Sequence, residues 1–277
     1  MNNDDTKVRR LADVLTELNS VAVAFSAGVD STFLAAAAQR VLGDKAIAVT
    51  AVSPSSTEVE VQEARDLAAL IGIRHVTLAS TEFDNPDFTA NTPLRCYYCK
   101  KERFAYLADW AQSEGYAFVV EGTNADDLSD YRPGLRAIAE LDKVKSPLLA
   151  CGFTKADIRR VSRDWGLPTW DKPSAACLVS RLAYGLPITT AALKQIEASE
   201  LVVRRYIQGQ IRVRHHGDVA RIEAEPAYLP DLICPETAGS IASALKDLGF
   251  TYVTVDLTGY RTGSMNHGVK EAERFEG

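Results

Sequence analysis

The feature that most constrains this chain is a strand, a small-residue loop and a helix that follow one another near the N-terminus. Residues 21–25 (VAVAF) are apolar and partly β-branched, residues 32–38 (TFLAAAA) favour a helix, and SAGVDS at 26–31 separates them. Such a turn presents free backbone N–H groups and the positive end of a helix dipole. Because these groups together attract phosphate, the sequence predicts an anion site at residues 26–31.

The side chains of this loop suit that chemistry, with one exception. Gly28 lets the backbone approach an anion closely, and Ser26 and Ser31 add hydroxyl donors. Asp30 fits only if a backbone donor or a metal ion, such as Mg²⁺ carried by a nucleotide, lies between it and the anion. The loop lacks the Gly-Lys-Ser/Thr of a Walker A loop. An ordinary strand–turn–helix corner is the alternative, and the Ser/Gly/Asp/Ser spacing disfavours it.

Strands and helices alternate from this loop to about residue 170. Further buried strands are predicted at 46–52, 75–78 and 117–121, each separated from the next by a helical segment. This order predicts an α/β fold with a parallel sheet covered on both faces. Ligands of such sheets bind beyond the carboxyl ends of the strands. We therefore expect Ser53 and Gly122, which follow two of these strands, to lie beside the loop.

Two acids that follow the strand at 117–121 have two possible roles. Asp126 and Asp127 could hold a metal ion, but acids in a loop are more often simply solvated.

The pattern changes after residue 170. Residues 171–187 have no clear period and predict an interdomain loop, and residues 188–277 predict a small α+β domain after a first domain at 1–170. In this second domain Arg212 and Arg214 fall on one face of a strand that we expect to be exposed. Two guanidinium groups at this spacing suit a phosphate, and a solvated face paired with acids such as Glu223 is an equally good interpretation.

The cysteines allow several interpretations. Cys96 and Cys99 form a C-x-x-C pair, which could bind zinc only with a second pair and could act as a redox dithiol only directly after an early strand. Together with Cys177 they provide three thiolates, which fit an iron–sulfur cluster with one iron open. Cys151 and Cys234 stand among apolar residues, so we predict that both are small core residues.

Composition excludes several classes of protein. The 277 residues carry a formal net charge of −6, which argues against a protein that wraps nucleic acid. No apolar run is long enough to span a bilayer, and the polar, acidic start is not a secretory signal. We therefore expect a cytoplasmic protein, no membrane partner and reduced cysteines.

The loop SAGVDS resembles the PP-loop, Ser-Gly-Gly-x-Asp-Ser, of ATP pyrophosphatases of the adenine nucleotide alpha hydrolase-like fold. Ala27 replaces the first glycine, which is tolerable at negative φ and costly at positive φ. Later motifs resemble the LarE family, the ATP-dependent sacrificial sulfur transferases of nickel-pincer nucleotide cofactor synthesis. These motifs are DYRPGL at 130–135, Ser180-Arg181 with 184–185, Val213-Arg214 with 218–223, and 249–256 with 259–261.

The resemblance implies a reaction in which ATP activates a carboxylate of pyridinium-3,5-dicarboxylic acid mononucleotide, which then becomes a thiocarboxylate. It implies ATP and Mg²⁺ as cofactors, a mononucleotide as substrate and a homo-oligomer larger than a dimer. ATP and pyrophosphate would be bound by Ser26, Ala27, Gly28, Asp30, Ser31, Ser53, Gly122, Ser180 and Arg181. Arg212 and Arg214 would bind the phosphate of the substrate, and Asp30 and Cys177 would be catalytic.

Members of this family differ in the sulfur donor, which is either one sacrificed cysteine or a sulfide carried on a 4Fe-4S cluster. Cys96, Cys99 and Cys177 resemble the cluster-holding kind. A tRNA thiolation enzyme, an ammonia-using synthetase and a non-catalytic cluster-carrying nucleotide sensor are the alternatives.

Overall fold

A computed structural model of the chain describes residues 3–129, 133–173, 176–261 and 263–265. Residues 130–132 of the DYRPGL motif, and residues 174–175 of the predicted interdomain loop, lie outside this description. The helices are α1 (Asn3–Leu18), α2 (Val29–Leu42), α3 (Glu58–Ile71), α4 (Pro86–Thr89), α5 (Arg95–Ser113), α6 (Pro133–Ala139), α7 (Pro147–Ala150), α8 (Lys155–Asp164), α9 (Thr190–Val203), α10 (Leu229–Ile233) and α11 (Pro235–Asp247). The strands are β1 (Val21–Ala24), β2 (Ala46–Val52), β3 (Arg74–Ala79), β4 (Phe118–Val120), β5 (Val144–Lys145), β6 (Ile211–His216), β7 (Val219–Ala224) and β8 (Tyr252–Val255). None of the helices within the described ranges combines the length and apolar character that a membrane crossing needs.

The chain forms two compact units whose boundaries cross the sequence. The first unit comprises Met1–Asn85 and Cys96–Ala175, and the second comprises Pro86–Arg95 and Ala176–Gly277. The sequence pattern gave no sign that the short segment Pro86–Arg95 joins the second unit. It does so through Asn91, whose side-chain amide donates to the carbonyls of Ala183 and Leu186, both at 2.7 Å.

The first unit is built on the predicted parallel sheet. Its five strands are all parallel and lie in the order β3-β2-β1-β4-β5, so β1 is central. From β1 the chain moves first to one side, to β2 and β3, and then to the other, to β4 and β5. The carboxyl end of β1 is therefore the point at which the winding reverses, which is where ligands of open α/β sheets bind.

Helices cover both faces of this sheet because the side chains of β1 alternate between two cores. Val21 and Val23 pack in one core with Phe33 and Leu34 of α2. Ala22 faces the other core, with residues that include Phe104 and Leu107 of α5. The predicted α/β architecture is confirmed.

Local signals explain most element boundaries. Thr57 forms a capping box with Glu60 at the start of α3, and Gly72 ends that helix at a φ of 78°. The sequence SPLL at 146–149 predicts a short apolar sheet edge, and this prediction is wrong. Pro147 opens the short helix α7, since its missing N–H and fixed φ suit a first helical position.

The second unit contains the predicted small α+β arrangement. Its sheet has the order β6-β7-β8, in which β6 and β7 are antiparallel and β7 and β8 are parallel. Gly217 has a φ of 72° in the turn between β6 and β7. Ile211 and Val213 of β6 face a core that includes Ile241 and Leu245 of α11, so the intervening arginines face the other way.

Candidate functional site

The loop between β1 and α2, residues 26–31, has the form of an anion site and is called the phosphate loop below. Gly28 stands directly before α2 and provides no side-chain cap for its first turn, within the described residues. The hydroxyls of Ser26 and Ser31 lie 3.1 Å apart, and Ser31 Oγ accepts from the N–H of Ser26 at 3.2 Å. The first-turn N–H groups of α2 are therefore left for a ligand, with two hydroxyls at their edge.

Ala27 is the strained residue of this loop. Its φ is 55°, in the left-handed region, and its side chain is 1% exposed. A non-glycine residue in this region costs on the order of 1–2 kcal/mol. The substitution of glycine by alanine in the PP-loop pattern is thus the costly case.

Asp30 lies in the first turn of α2 and is neutralised by a lysine. The ammonium group of Lys155 donates to its carboxylate, and Asn124 Nδ2 lies 3.4 Å from its Oδ1. Lys155 is the first residue of α8. The contact joins residues 125 positions apart in the chain, so no local pattern in the sequence predicts it.

Gly122 lies against the phosphate loop, as predicted. A Cβ built on Gly122 would be 3.1 Å from Asp30 Cβ and 3.2 Å from the backbone nitrogen of Ser31. A side chain at this position would therefore need the start of α2 to shift by a few tenths of an ångström. The glycine suits the close approach of the segments that follow β1 and β4.

Ser53, after β2, belongs to a buried polar network that sequence analysis missed. Its hydroxyl lies 2.8 Å from that of Ser55, and Glu82 accepts hydrogen bonds from Ser53, Ser80 and Arg103. Burial opposes ionisation of Glu82, but the charge of Arg103 and these hydrogen bonds outweigh it and hold its pKa below the usual value. The network fixes the backbone that follows β2.

The carboxylates of Asp126 and Asp127 accept hydrogen bonds from backbone N–H groups. Asp126 accepts from the N–H of Lys155 at 2.8 Å, and Asp127 accepts from the N–H of Asn124 at 3.0 Å. Within the described ranges, no three His, Cys, Asp or Glu side chains are grouped so as to hold a metal ion. The two aspartates therefore order the loop after β4.

In the second unit, Arg181 is buried and fixes the backbone around Cys177. It donates to Glu200 through two nitrogens, at 2.9 and 3.2 Å. It also donates to the carbonyls of Ala176 and Cys177, and to Ser180 Oγ at 3.2 Å. Charge-assisted bonds of this kind hold the backbone of residues 176–177 in one arrangement.

Arg212 and Arg214 are buried, so the predicted exposed basic face is wrong. They are 4% and 5% exposed. The face of β6 that they occupy is covered: the guanidinium of Arg212 stacks 5.1 Å from the ring centroid of Tyr260, and Arg214 donates to Ser264 at 3.0 Å. A strand pattern reports which residues share a face, but it does not report what packs on that face.

The two arginines differ in their partners. Arg214 donates to the fully buried Glu223 at 2.7 Å. Arg212 donates to the Ile211 carbonyl and to Gln210, and it has no carboxylate partner within the described part of the chain. Burial, followed by the positive charge of Arg181, lowers the pKa of Arg212. The negative charge of Glu200 offsets part of this effect, and a bound anion would offset more of it.

The cysteines divide by exposure. Cys96 and Cys177 are exposed and Cys99 is half-buried, with Cys96 and Cys99 one turn apart on α5. Cys151 is buried, as predicted, and burial raises the pKa of its thiol. The prediction for Cys234 is wrong, because this residue is exposed at the start of α11 and hydrogen bonds with Thr237 lower its pKa.

Comparison with known proteins finds relatives along the whole chain. The asparagine synthase family profile matches residues 11–110. An uncharacterized protein of Synechocystis sp. is 40% identical over 95% of this chain and 97% of its own length. The pyridinium-3,5-bisthiocarboxylic acid mononucleotide synthase of Lactiplantibacillus plantarum is 36% identical over 97% of this chain and 96% of its own length. A tRNA-specific 2-thiouridylase MnmA of Azorhizobium caulinodans is 26% identical over 75% of this chain and 63% of its own length.

Proposed function

This chain belongs to the LarE family of ATP-using sulfur transferases, and on that premise we propose that it converts a carboxylate of pyridinium-3,5-dicarboxylic acid mononucleotide to a thiocarboxylate. The proposal rests on similarity that spans 97% of the chain to a synthase of the corresponding thiocarboxylic acid mononucleotide.

The reaction begins with activation of the carboxylate by ATP. The observation that supports this step is the phosphate loop, which lies where the winding of the sheet reverses. Its first-turn N–H groups and the hydroxyls of Ser26 and Ser31 suit a pyrophosphate. Lys155 and Asp30 flank it with opposite charges. Ser53 and Gly122, which follow β2 and β4, would complete the nucleotide site.

In the first step an oxygen of the substrate carboxylate attacks the α-phosphorus of ATP. The bond from that phosphorus to the bridging oxygen breaks, AMP joins the carboxylate and pyrophosphate leaves. The N–H groups of the phosphate loop stabilise the charge that develops on the leaving pyrophosphate. Asp30 is the carboxylate of the loop that would hold the Mg²⁺ of ATP, which would offset the charge of the phosphates.

The second step, in which sulfur replaces AMP, needs a site for the substrate phosphate and for the acyl adenylate. We propose that Arg212 and Arg214 bind the substrate phosphate, because Arg212 is a buried cation with no carboxylate partner in the described residues. Ser180 and Arg181 would face the reacting phosphates. A sulfur nucleophile then attacks the acyl carbon, and AMP leaves with the electrons of its bond to that carbon.

For the sulfur donor we propose a 4Fe-4S cluster on Cys96, Cys99 and Cys177. This donor set is supported by the exposure of the thiols, two exposed and one half-buried, and by the spacing of Cys96 and Cys99 one helical turn apart. The described side chains do not form a preassembled metal group, so the three thiols would have to come together around the cluster. With three thiolates as its protein ligands, such a cluster would supply the sulfur as a sulfide bound to it. Arg181 fixes the backbone at Cys177, which orients that ligand.

One reaction tests the function. The protein, reconstituted anaerobically with iron and sulfide, is incubated with ATP, sulfide and the dicarboxylic acid mononucleotide, and AMP, pyrophosphate and the mass of the product are measured. We expect AMP and pyrophosphate in equal amounts and a thiocarboxylate product. Hydrolysis of ATP without AMP would contradict the proposal, and sulfur found in added tRNA instead would favour a tRNA thiolation enzyme related to MnmA.

A second experiment tests the sulfur donor and the assembly. Anaerobic reconstitution with iron and sulfide should give a brown protein, and Cys96→Ala should lose the colour while Cys234→Ala keeps it. A colourless protein whose Cys177 becomes dehydroalanine during turnover would show that the cysteine itself is sacrificed. We also propose a homo-oligomer larger than a dimer, which the mass of the protein in solution tests.

A further inference from the structure

Lys172 contacts the phosphate loop although it comes from a distant part of the chain. Its ammonium group donates to the carbonyl of Ala27 at 3.0 Å and to Glu63 of α3 at 2.6 Å. No motif in the sequence predicts a role for this lysine. It lies in the segment that runs towards Cys177, five residues before that cysteine.

The backbone around Lys172 is itself fixed. Arg159 of α8 donates to the carbonyls of Trp170 and Lys172, both at 2.8 Å. Residue 159 lies one turn beyond Lys155, which holds Asp30 on the other side of the loop. The helix α8 therefore supports both cations that reach the phosphate loop.

The contact falls on a peptide that can affect phosphate binding. A trans peptide is planar, so the C=O of Ala27 and the N–H of Gly28 point in opposite directions. An ammonium group that holds this carbonyl fixes the direction of the N–H, and it polarises the peptide so that the N–H becomes a stronger donor. Ala27 is also the strained residue, at a φ of 55°, so this peptide needs an external partner to keep its orientation.

We infer that Lys172 is a positioning residue for the phosphate loop: it holds the Ala27 carbonyl and thereby aims the Gly28 N–H at the phosphate. This inference rests on the proposed function, in which the loop binds pyrophosphate. Lys172 acts through the Ala27–Gly28 peptide and not by contact with the reacting atoms.

The test combines a spectroscopic and a binding measurement on the full chain. Labelling with ¹³C-carbonyl alanine and ¹⁵N-glycine marks only Ala-Gly peptides, and the chain has two of them, Ala27-Gly28 and Ala238-Gly239. The second lies in α11 of the other unit and serves as an internal reference. Binding of inorganic pyrophosphate is measured by calorimetry on the same proteins.

In Lys172→Met we expect the Gly28 signal of the nucleotide-free protein to move while the Gly239 signal stays. Affinity for pyrophosphate should fall at least about tenfold, because a charge-assisted hydrogen bond is lost. The variant should fold, since Lys172 borders an open cavity of about 510 Å³ that accommodates an uncharged chain. Lys172→Arg keeps a donor and should stay within about threefold of wild type.

Lys45→Met is the matched control. Lys45 donates to Asn19 and precedes β2 at the amino end of that strand, whereas the phosphate loop follows the carboxyl end of β1. This variant should change neither signal nor affinity. Weaker binding of pyrophosphate by Lys172→Met with an unmoved Gly28 signal would overturn the inference, since it would indicate direct contact with the phosphate. Unchanged affinity in Lys172→Met would also overturn it. A wild-type protein that binds no pyrophosphate would overturn both this inference and the proposed function.

Discussion

The phosphate loop of the first unit offers backbone donors, whereas the site proposed at Arg212 and Arg214 of the second unit offers side-chain donors. In the loop the donors are the N–H groups at the start of α2, and the lysine beside them is paired with a carboxylate and partly exposed. In the second unit the donors are the guanidinium groups of Arg212 and Arg214, which are almost fully buried. A backbone site survives changes of side chain, because its donors belong to every residue. A side-chain site depends on the charges around it.

The arginine pair gives the largest expected effect on stability. Arg214→Met removes the closest cation of the fully buried Glu223 and leaves Arg221, at 3.0 Å, as its remaining ion-pair partner, so we expect the second unit to lose about 2 kcal/mol. Arg212→Met removes no carboxylate partner and should cost less, about 1 kcal/mol. Hydrogen exchange of the β6–β8 amides measures both changes. Equal losses in the two variants would contradict the distinction between a paired and an unpaired arginine.

Asp30 gives the largest expected effect on catalysis. Asp30→Ala should lower AMP formation at least about a hundredfold, because the loop loses the carboxylate proposed to hold Mg²⁺ beside the phosphates. The fold should persist, since the ion pair with Lys155 is partly exposed and contributes about 1 kcal/mol or less.

The three tryptophans, Trp110, Trp165 and Trp170, all belong to the first unit, so their fluorescence reports whether that unit stays folded in Asp30→Ala. Lys155→Met breaks the same ion pair but keeps the carboxylate. It should therefore retain more activity than Asp30→Ala. Full activity in Asp30→Ala would remove the basis for the proposed mechanism.

Ala27→Gly should stabilise the first unit by about 0.5–1 kcal/mol. Glycine removes the strain at a φ of 55°, and the greater freedom of the unfolded chain offsets part of this gain. Urea unfolding followed by tryptophan fluorescence measures it. Asn19→Gly is the comparison, because asparagine already tolerates its φ of 65°. A gain in Asn19→Gly equal to that in Ala27→Gly would argue against strain at Ala27.

His75 gives the smallest expected effect, on the pH dependence of the first unit. Burial, followed by the charge of Arg65, lowers the pKa of His75, so the folded state binds this proton less well than the unfolded state. The stability that neutral His75 contributes is present above the pKa of histidine in the unfolded chain, about 6.5, and is lost as the pH falls below that value. Unfolding at pH 7.5 and 5.5 should show a smaller decrease in His75→Gln than in wild type. An identical decrease would exclude His75 as the cause.

The parts of the site that could be predicted are those determined by near neighbours in sequence. The strand, the loop with its glycine and the helix of residues 21–42 specify one another locally, and the order of strands specifies the sheet. Lys155 and Lys172 could not be predicted as partners of the loop, since nothing near them in sequence distinguishes them from surface lysines. The burial of Arg212 was missed for a similar reason, because Tyr260, which stacks on it, comes from a distant segment.

The segment Pro86–Arg95, which joins the second unit although it interrupts the first, affects how the protein can be made. Asn91 leaves the ribosome 92 residues before Ala183, to whose carbonyl it donates. At usual rates of translation this delay is between about 5 and 20 s, and by its end the whole parallel sheet has been synthesised. A fragment that ends near residue 175 would therefore carry Asn91 and Arg95 without their carbonyl acceptors at residues 182–186. No single cut in the chain separates the two units, because their ranges interleave. The role of each unit therefore has to be tested by substitution and not by truncation.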